Sequence, residues 1–160
     1  MGNKIIQDRE FIFNIITHLQ DINKVVVLAC GSFDLLHPGH VAFLEQSDKL
    51  GHLFVVGLYA DSYINKIKGN HLPIYTQSDR SRILRAFEHI DYIIPMKDNE
   101  SAEDLIRYLH PNIYARGGME GAEPVERTAV EESHGKLMLI PYIEGYSSAH
   151  ILEQIQQKMT

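Results

Sequence analysis

The chain is short of the features that would place it in several broad classes. Its 160 residues include one cysteine, Cys30. No internal disulfide can form, which excludes a disulfide-stapled secreted scaffold and points to a reducing, cytoplasmic setting. No apolar run approaches the ~20 residues that a bilayer-spanning helix needs, so no membrane partner is expected. The opening residues, Met-Gly-Asn-Lys-Ile-Ile-Gln-Asp-Arg-Glu, lack the apolar core of a signal peptide. Positive charge is scarce: 15 Lys and Arg against 21 Asp and Glu leave a formal charge of -6. A nucleic-acid surface needs a basic patch to replace counterions, so no nucleic-acid partner is expected either. A small anionic ligand is compatible with this charge, because a few local donors suffice to hold it. Repeats, low-complexity stretches and Pro/Ser/Gly linkers are missing as well. Residues 1–160 therefore read as one domain with a real core, residues 1–23 being a helical extension packed on it.

What is present is an alternation of apolar runs and helical patterns. Phe11, Ile12, Ile15, Ile16 and Leu19 recur at helical spacing and predict an opening helix. Strands are predicted over 24–30, 54–59, 91–95, 112–115 and 136–142. Thr76-Gln77-Ser78-Asp79 starts like a capping box, and Ile83, Leu84, Phe87 and Ile90 predict the helix behind it. Ser101 with Asp104 predicts a capped helix, Pro124 and Gly135 bracket another, and Ser147 opens the last. Strands alternating with helices predict an α/β fold: a parallel five-stranded sheet with helices on both faces. Ligands of such sheets bind beyond the carboxyl ends of the strands, where strand order reverses. The segments Gly31–His40, Arg116–Glu120, Glu144–Ser148 and Lys66–Gly69 are expected to converge there.

Residues 31–40, Gly-Ser-Phe-Asp-Leu-Leu-His-Pro-Gly-His, carry the most chemistry. They follow a buried strand and precede a helix. Unpaired N–H groups and the helix dipole at such a start favour phosphate. His37 and His40 add donors at the same spot, Gly39 permits close backbone approach and Pro38 suits the first helical position. Zinc needs more ligands than two imidazoles and the lone cysteine does not supply an obvious third. Donors aimed at one phosphate group suit nucleotidyl transfer, in which charge builds on the α-phosphate oxygens. Cys30 reads as a small buried residue rather than a nucleophile.

With these residues the chain resembles the cytidylyltransferase-like nucleotidyltransferases, which share a His-x-Gly-His motif. It is most similar to their heptose-1-phosphate adenylyltransferase domains, and next to the glycerol-3-phosphate cytidylyltransferases. The similarity extends to Lys68-Gly69, Arg80 in Asp-Arg-Ser-Arg-Ile-Leu, Gly117-Gly118 and Glu144-Gly145-Tyr146-Ser147-Ser148. It implies a Rossmann-like fold, a magnesium-dependent reaction, a nucleoside triphosphate and a small phosphorylated substrate, and a homodimer. It implies catalytic roles for His37, His40 and Lys68, and nucleotide contacts from Gly31, Ser32, Phe33, His37, Gly39, His40, Arg116, Gly117, Met119, Glu144, Tyr146, Ser147 and Ser148. Substrate contacts are implied for Asp34, Lys68 and Arg80; no protein residue is assigned to a metal.

Alternatives stand beside several of these roles. Ser147 and Ser148 also suit an ordinary helix cap, Lys68 a solvated surface charge, Asp34 a turn cap, and Arg80 an ion pair with a nearby carboxylate. ATP is expected as donor, with CTP the alternative. The pattern departs from the family at Met119, where an aspartate is usual and Glu120 is the nearest acid, and at Tyr142-Ile143, where the cytidylyltransferases carry Arg-Thr. Met119 keeps open a reading as a nucleotide-binding module without catalysis.

Overall fold

Val26–Gly31 is the central strand, β1, and its register explains the layers on either side. Val26 and Leu28 point into one buried cluster and Val27 and Ala29 into another. Successive side chains of a strand face opposite ways, so a continuous apolar run is what a strand covered on both faces requires. The computed structural model describes residues 4–119, 121 and 123–159, and Glu120 lies outside them.

The order of elements is α1 (Arg9–Asp21), β1, α2 (Pro38–Asp48), β2 (Leu53–Leu58), α3 (Asp61–Lys68), α4 (Gln77–Leu84), β3 (Tyr92–Pro95), α5 (Ala102–Leu109), β4 (Ile113–Gly117), α6 (Arg127–Glu132), β5 (Lys136–Ile140) and α7 (Ser148–Met159). The five strands are all parallel in the order β3-β2-β1-β4-β5. The fold is thus the α/β, Rossmann-like parallel sheet that the alternation predicts. On one face α1, α5 and α6 contribute Ile12, Ile16, Leu105, Ile106, Leu109, Ala129 and Val130; on the other α2 and α4 contribute Leu44 and Leu84. Ahead of α1, Ile6 N–H donates to Ile93 and Ile93 N–H to Lys4, so residues 4–6 lie along the β3 edge.

Caps fix the helix starts, at Thr76 and Ser101 as expected and at Asp8 in addition. The Asp8 carboxylate accepts from Phe11 N–H, the Thr76 hydroxyl from Asp79 N–H, and Ser101 and Asp104 form a reciprocal capping box. Three expectations are corrected. Helix α3 was not predicted, and Lys66–Gly69 is its last turn and cap rather than a loop; Gly69, at φ 100°, ends it. Ala60 offers this helix no side-chain cap, and the helix is eight residues long, so its signal is faint. Helix α4 stops at Leu84, and Phe87 and Ile90 pack into the same core from the turns that follow. Their spacing reports burial, not helix. Helix α6 begins at Arg127, three residues after Pro124, whose carbonyl accepts from Arg127 N–H at 3.1 Å. No helix among the described residues is long and apolar enough to cross a membrane.

Candidate active site

Strand order reverses between β1 and β4, so the crevice for a ligand opens beyond Gly31 and Gly117. The chain leaves β1 through Ser32, Phe33 and Asp34, all buried. Phe33 at φ 46° and Leu35 at φ 44° are both in the left-handed region, a strained conformation for residues other than glycine. The Phe33 ring is sunk in the core below, and a Cβ on Gly31 would stand 2.7 Å from it. Gly31 is therefore the residue that lets the strand end pass over the ring.

His37 is the N-cap of α2 and Pro38 its first residue. The two imidazoles lie against each other, with ring centroids 3.8 Å apart. His37 N–H donates to Nδ1 of His40 at 3.4 Å. This places the His40 hydrogen on Nε2, which faces away from the helix backbone as a donor. Nδ1 of His37 is buried without a hydrogen-bond partner among the described residues. Burial lowers the pKa of His37, and burial, the charge of His37 and the charge of Lys68 lower that of His40 to about 4. Both rings are therefore neutral near pH 7. Lys68, on the last turn of α3, is exposed.

In the free protein the ring protons of His40, followed by NMR, will titrate near 4 rather than near the ordinary 6.5. Adding a triphosphate will move the midpoint upward, because nearby negative charge favours imidazolium. An unchanged midpoint in saturating nucleotide would place the phosphates elsewhere. The same shift links to stability. Between 6.5 and about 4 the unfolded chain binds a proton that folded His40 refuses. Stability from this source is complete above 6.5 and falls as pH drops through that window.

Residues 144–148 reach the same spot. The Tyr146 ring is parallel to His37 within 19° at 6.3 Å, and a Cβ on Gly39 would stand 3.2 Å from Cβ of Tyr146. Gly39 thus permits this close approach. The Ser147 hydroxyl accepts from His150 N–H at 3.0 Å and caps α7, while Ser148 Oγ donates to the Asp34 carbonyl at 3.3 Å. Glu144 is exposed on the same loop. The glycine loop after β4 lies on the β5 side. Arg116, Gly117, Gly118, Met119, Glu123, Pro124, Leu139 and Tyr142 line a cavity of about 280 Å³. The Tyr142 hydroxyl donates to the Gly117 carbonyl at 3.0 Å, and Arg116 pairs with the buried carboxylate of Glu126. Met119 is 73% exposed.

Two of the residues read as substrate contacts stand differently. Arg80 is 0% exposed. Its guanidinium donates to the carbonyls of Ser32, Tyr59 and Tyr75 and to the Asp61 carboxylate, at 2.5–3.0 Å. A fully buried fork spent on these partners does not meet a substrate anion; the ion-pair alternative is the one realised. Asp34 is buried too, and its two carboxylate oxygens accept from Ile74 N–H at 2.6 Å and Tyr75 N–H at 3.1 Å. It ties two loops together rather than capping its own turn. Tyr142 stands out in the sequence only as a departure from the family pattern, and Glu126 and Asp61 carry no sequence signal. The structure gives Tyr142 its place: a Cβ on Gly117 would stand 2.7 Å from its ring.

Residues 28–154 match the family described as Cytidylyltransferase-like. A protein of Aliarcobacter butzleri called Bifunctional protein HldE is 33% identical over 98% of this chain and 32% of its own length. Its namesake in Citrifermentans bemidjiense is 38% identical over 82% of this chain and 27% of its own. The chain thus spans less than a third of these relatives. Two solved structures share the fold. The lipopolysaccharide core biosynthesis protein of Thermoplasma volcanium superposes with a TM-score of 0.60 at 22% identity, covering 78% of this chain and 99% of that one. Pantoate-beta-alanine ligase of Francisella tularensis superposes at 0.61 with 10% identity, covering 98% and 80%. With the imidazole pair at the switch point of a five-stranded parallel sheet, and most of its length within that match, the chain belongs to the Cytidylyltransferase-like family.

Proposed function

We propose that the chain moves the AMP group of ATP onto a sugar phosphate of the heptose 1-phosphate class and releases pyrophosphate. The observation that carries this reading is the closely apposed, neutral pair His37 and His40 at the start of α2, their centroids 3.8 Å apart, faced by Tyr146 just ahead of α7. An oxygen of the acceptor phosphate attacks the α-phosphorus. The bond from that phosphorus to the oxygen bridging to the β-phosphate breaks, and pyrophosphate leaves with this oxygen. An ionised phosphate nucleophile needs no general base, so the site needs donors for the charge that builds at the α-phosphate. Neutral His40 supplies Nε2–H, His37 and the first N–H groups of α2 add to it, and Lys68 supplies positive charge. Ser147, Ser148 and the free N–H groups of α7 hold the β- and γ-phosphates. Gly31, Ser32, Phe33 and Gly39 shape the floor, Glu144 and Tyr146 the rim. The cavity lined by Arg116, Gly117, Met119 and Tyr142 takes the base.

No group of three or more His, Cys, Asp or Glu among the described residues is arranged to hold a metal ion. Magnesium, which the resemblance implies, enters in this reading as the counterion of the triphosphate substrate. The heptose-1-phosphate adenylyltransferase branch of the resemblance favours ATP over CTP. A homodimer belongs to the same proposal; light scattering would then give twice the 18.3 kDa of the chain.

The test measures pyrophosphate release from ATP, CTP, GTP and UTP against hexose and heptose 1-phosphates and glycerol 3-phosphate. Release with ATP and a sugar 1-phosphate is expected. Calorimetric binding of nucleotide without release for any pair would make the chain a binding module. The base cavity has its own check. In Gly117→Ala the new Cβ would meet the Tyr142 ring at 2.7 Å, but that ring is 69% exposed and can swing away. Stability will change by less than about 1 kcal/mol. Nucleotide affinity will fall about tenfold, as the ring closes the cavity mouth differently. Unchanged affinity in calorimetry would move the base to another place.

A further inference from the structure

We infer that Asp34 and Arg80 are positioning residues that hold the acceptor side of the crevice in register with the phosphate side; this rests on the reaction proposed above. The loop carrying the histidines runs through two left-handed residues, Phe33 and Leu35. Such strain persists only where the surroundings over-determine it. Here the over-determination is explicit. The carbonyl of Ser32, on one side of Phe33, accepts from Nη1 of Arg80 at 2.5 Å. The carboxylate of Asp34, on the other side, accepts both Ile74 N–H and Tyr75 N–H. Arg80 also binds the Tyr75 carbonyl through Nε at 3.0 Å, and through Nη2 the Tyr59 carbonyl beyond β2 and the Asp61 carboxylate opening α3.

Two buried charged side chains thus join four segments. They are the turn after β1, the end of β2, the start of α3 with Lys68 at its far end, and residues 74–75 ahead of α4. Ser148 Oγ, on the Asp34 carbonyl, adds the start of α7. Neither Asp34 nor Arg80 has to touch substrate to matter. Together they set the distance between the imidazoles and whatever Lys68 and the 69–75 segment hold. A positional error near an ångström between reacting groups costs about 10²-fold in rate without weakening ground-state binding in proportion.

The test uses Asp34→Asn in the full chain. The amide keeps the shape and one accepting oxygen, and loses the second. Turnover should fall at least about tenfold while nucleotide affinity by calorimetry stays within about threefold. The amide protons of Ile74 and Tyr75 should exchange with solvent about tenfold faster or more, with the core strands unaffected. Asp34→Ala should do both more strongly. The idea is overturned if turnover and exchange at 74–75 match the wild type, or if nucleotide affinity falls in step with turnover. A fold lost throughout, with core amides exchanging as fast as those at 74–75, overturns it as well. If the wild type shows no turnover with any substrate pair, the proposed reaction fails, whereas exchange at 74–75 still decides whether Asp34 holds that segment.

Discussion

His40→Ala is expected to lower kcat by about 10²–10³-fold, the usual effect of removing one preorganised donor from a developing oxyanion. Nucleotide affinity should change little, because the cap of α7 and the cavity by Gly117 are untouched. The melting temperature should drop by only a few degrees. The ring lies at the surface of the core, 5.8 Å from Phe33 and 3.8 Å from His37 between centroids, and fills no closed space. His37→Ala should cost less in rate, since the His37 backbone N–H that orients His40 survives. The double variant should be little slower than His40→Ala, because the two rings act on one phosphate as a unit. Equal and multiplying losses would mean that the rings contribute independently rather than as a unit. Turnover undiminished in His40→Ala would remove both from the mechanism.

Arg80→Met is expected to be the most damaging single change to stability. Methionine replaces the volume and none of the hydrogen bonds. Three backbone carbonyls, those of Ser32, Tyr59 and Tyr75, lose a charged donor in surroundings where water is a poor substitute. A hydrogen bond to a charged group contributes roughly 1.5–3 kcal/mol, so about 3–5 kcal/mol of unfolding free energy should go, with correlated losses taken into account. The Asp61 carboxylate adds little, because 43% of it stays in water. Against a total of about 5–15 kcal/mol, such a loss is severe. Chemical denaturation measures it directly, and a loss below about 1 kcal/mol would mean that the guanidinium is dispensable to the loops it joins. Arg80→Lys should fall between, with charge kept and the planar fork lost.

The contrast between these two residues shows what a sequence displays and what it hides. The placement of His37 and His40 was legible because it is local. Two imidazoles one turn apart at a helix start, directly after an apolar strand, can be read without knowing the rest of the molecule. The sheet was legible for a similar reason: Val26 to Ala29 must be buried on both faces, and only helices on either side of a parallel sheet provide that. Arg80 was legible only in part, as one side of an ion pair. Its other partners are backbone carbonyls, which every residue has, so no pattern of side chains announces them. The same holds for Asp34, whose carboxylate takes two N–H groups some forty positions along the chain. Phe87 and Ile90 misled because burial and helical spacing coincide over a few residues. Helix α3 escaped because it is brief and uncapped by a side chain. For Arg80 and Asp34 the missing information lay in long-range contact, and for α3 in the weakness of its local signal.

The proposed reaction is attack at the α-phosphorus, and isotopic labelling asks about that atom alone. The protein is given ATP labelled in the α- or in the γ-phosphate, together with a sugar 1-phosphate. Label from the α position should appear in a sugar nucleotide and label from the γ position wholly in pyrophosphate. Label from the γ position on the sugar, or α-label that never leaves ATP in correctly folded protein, would contradict it.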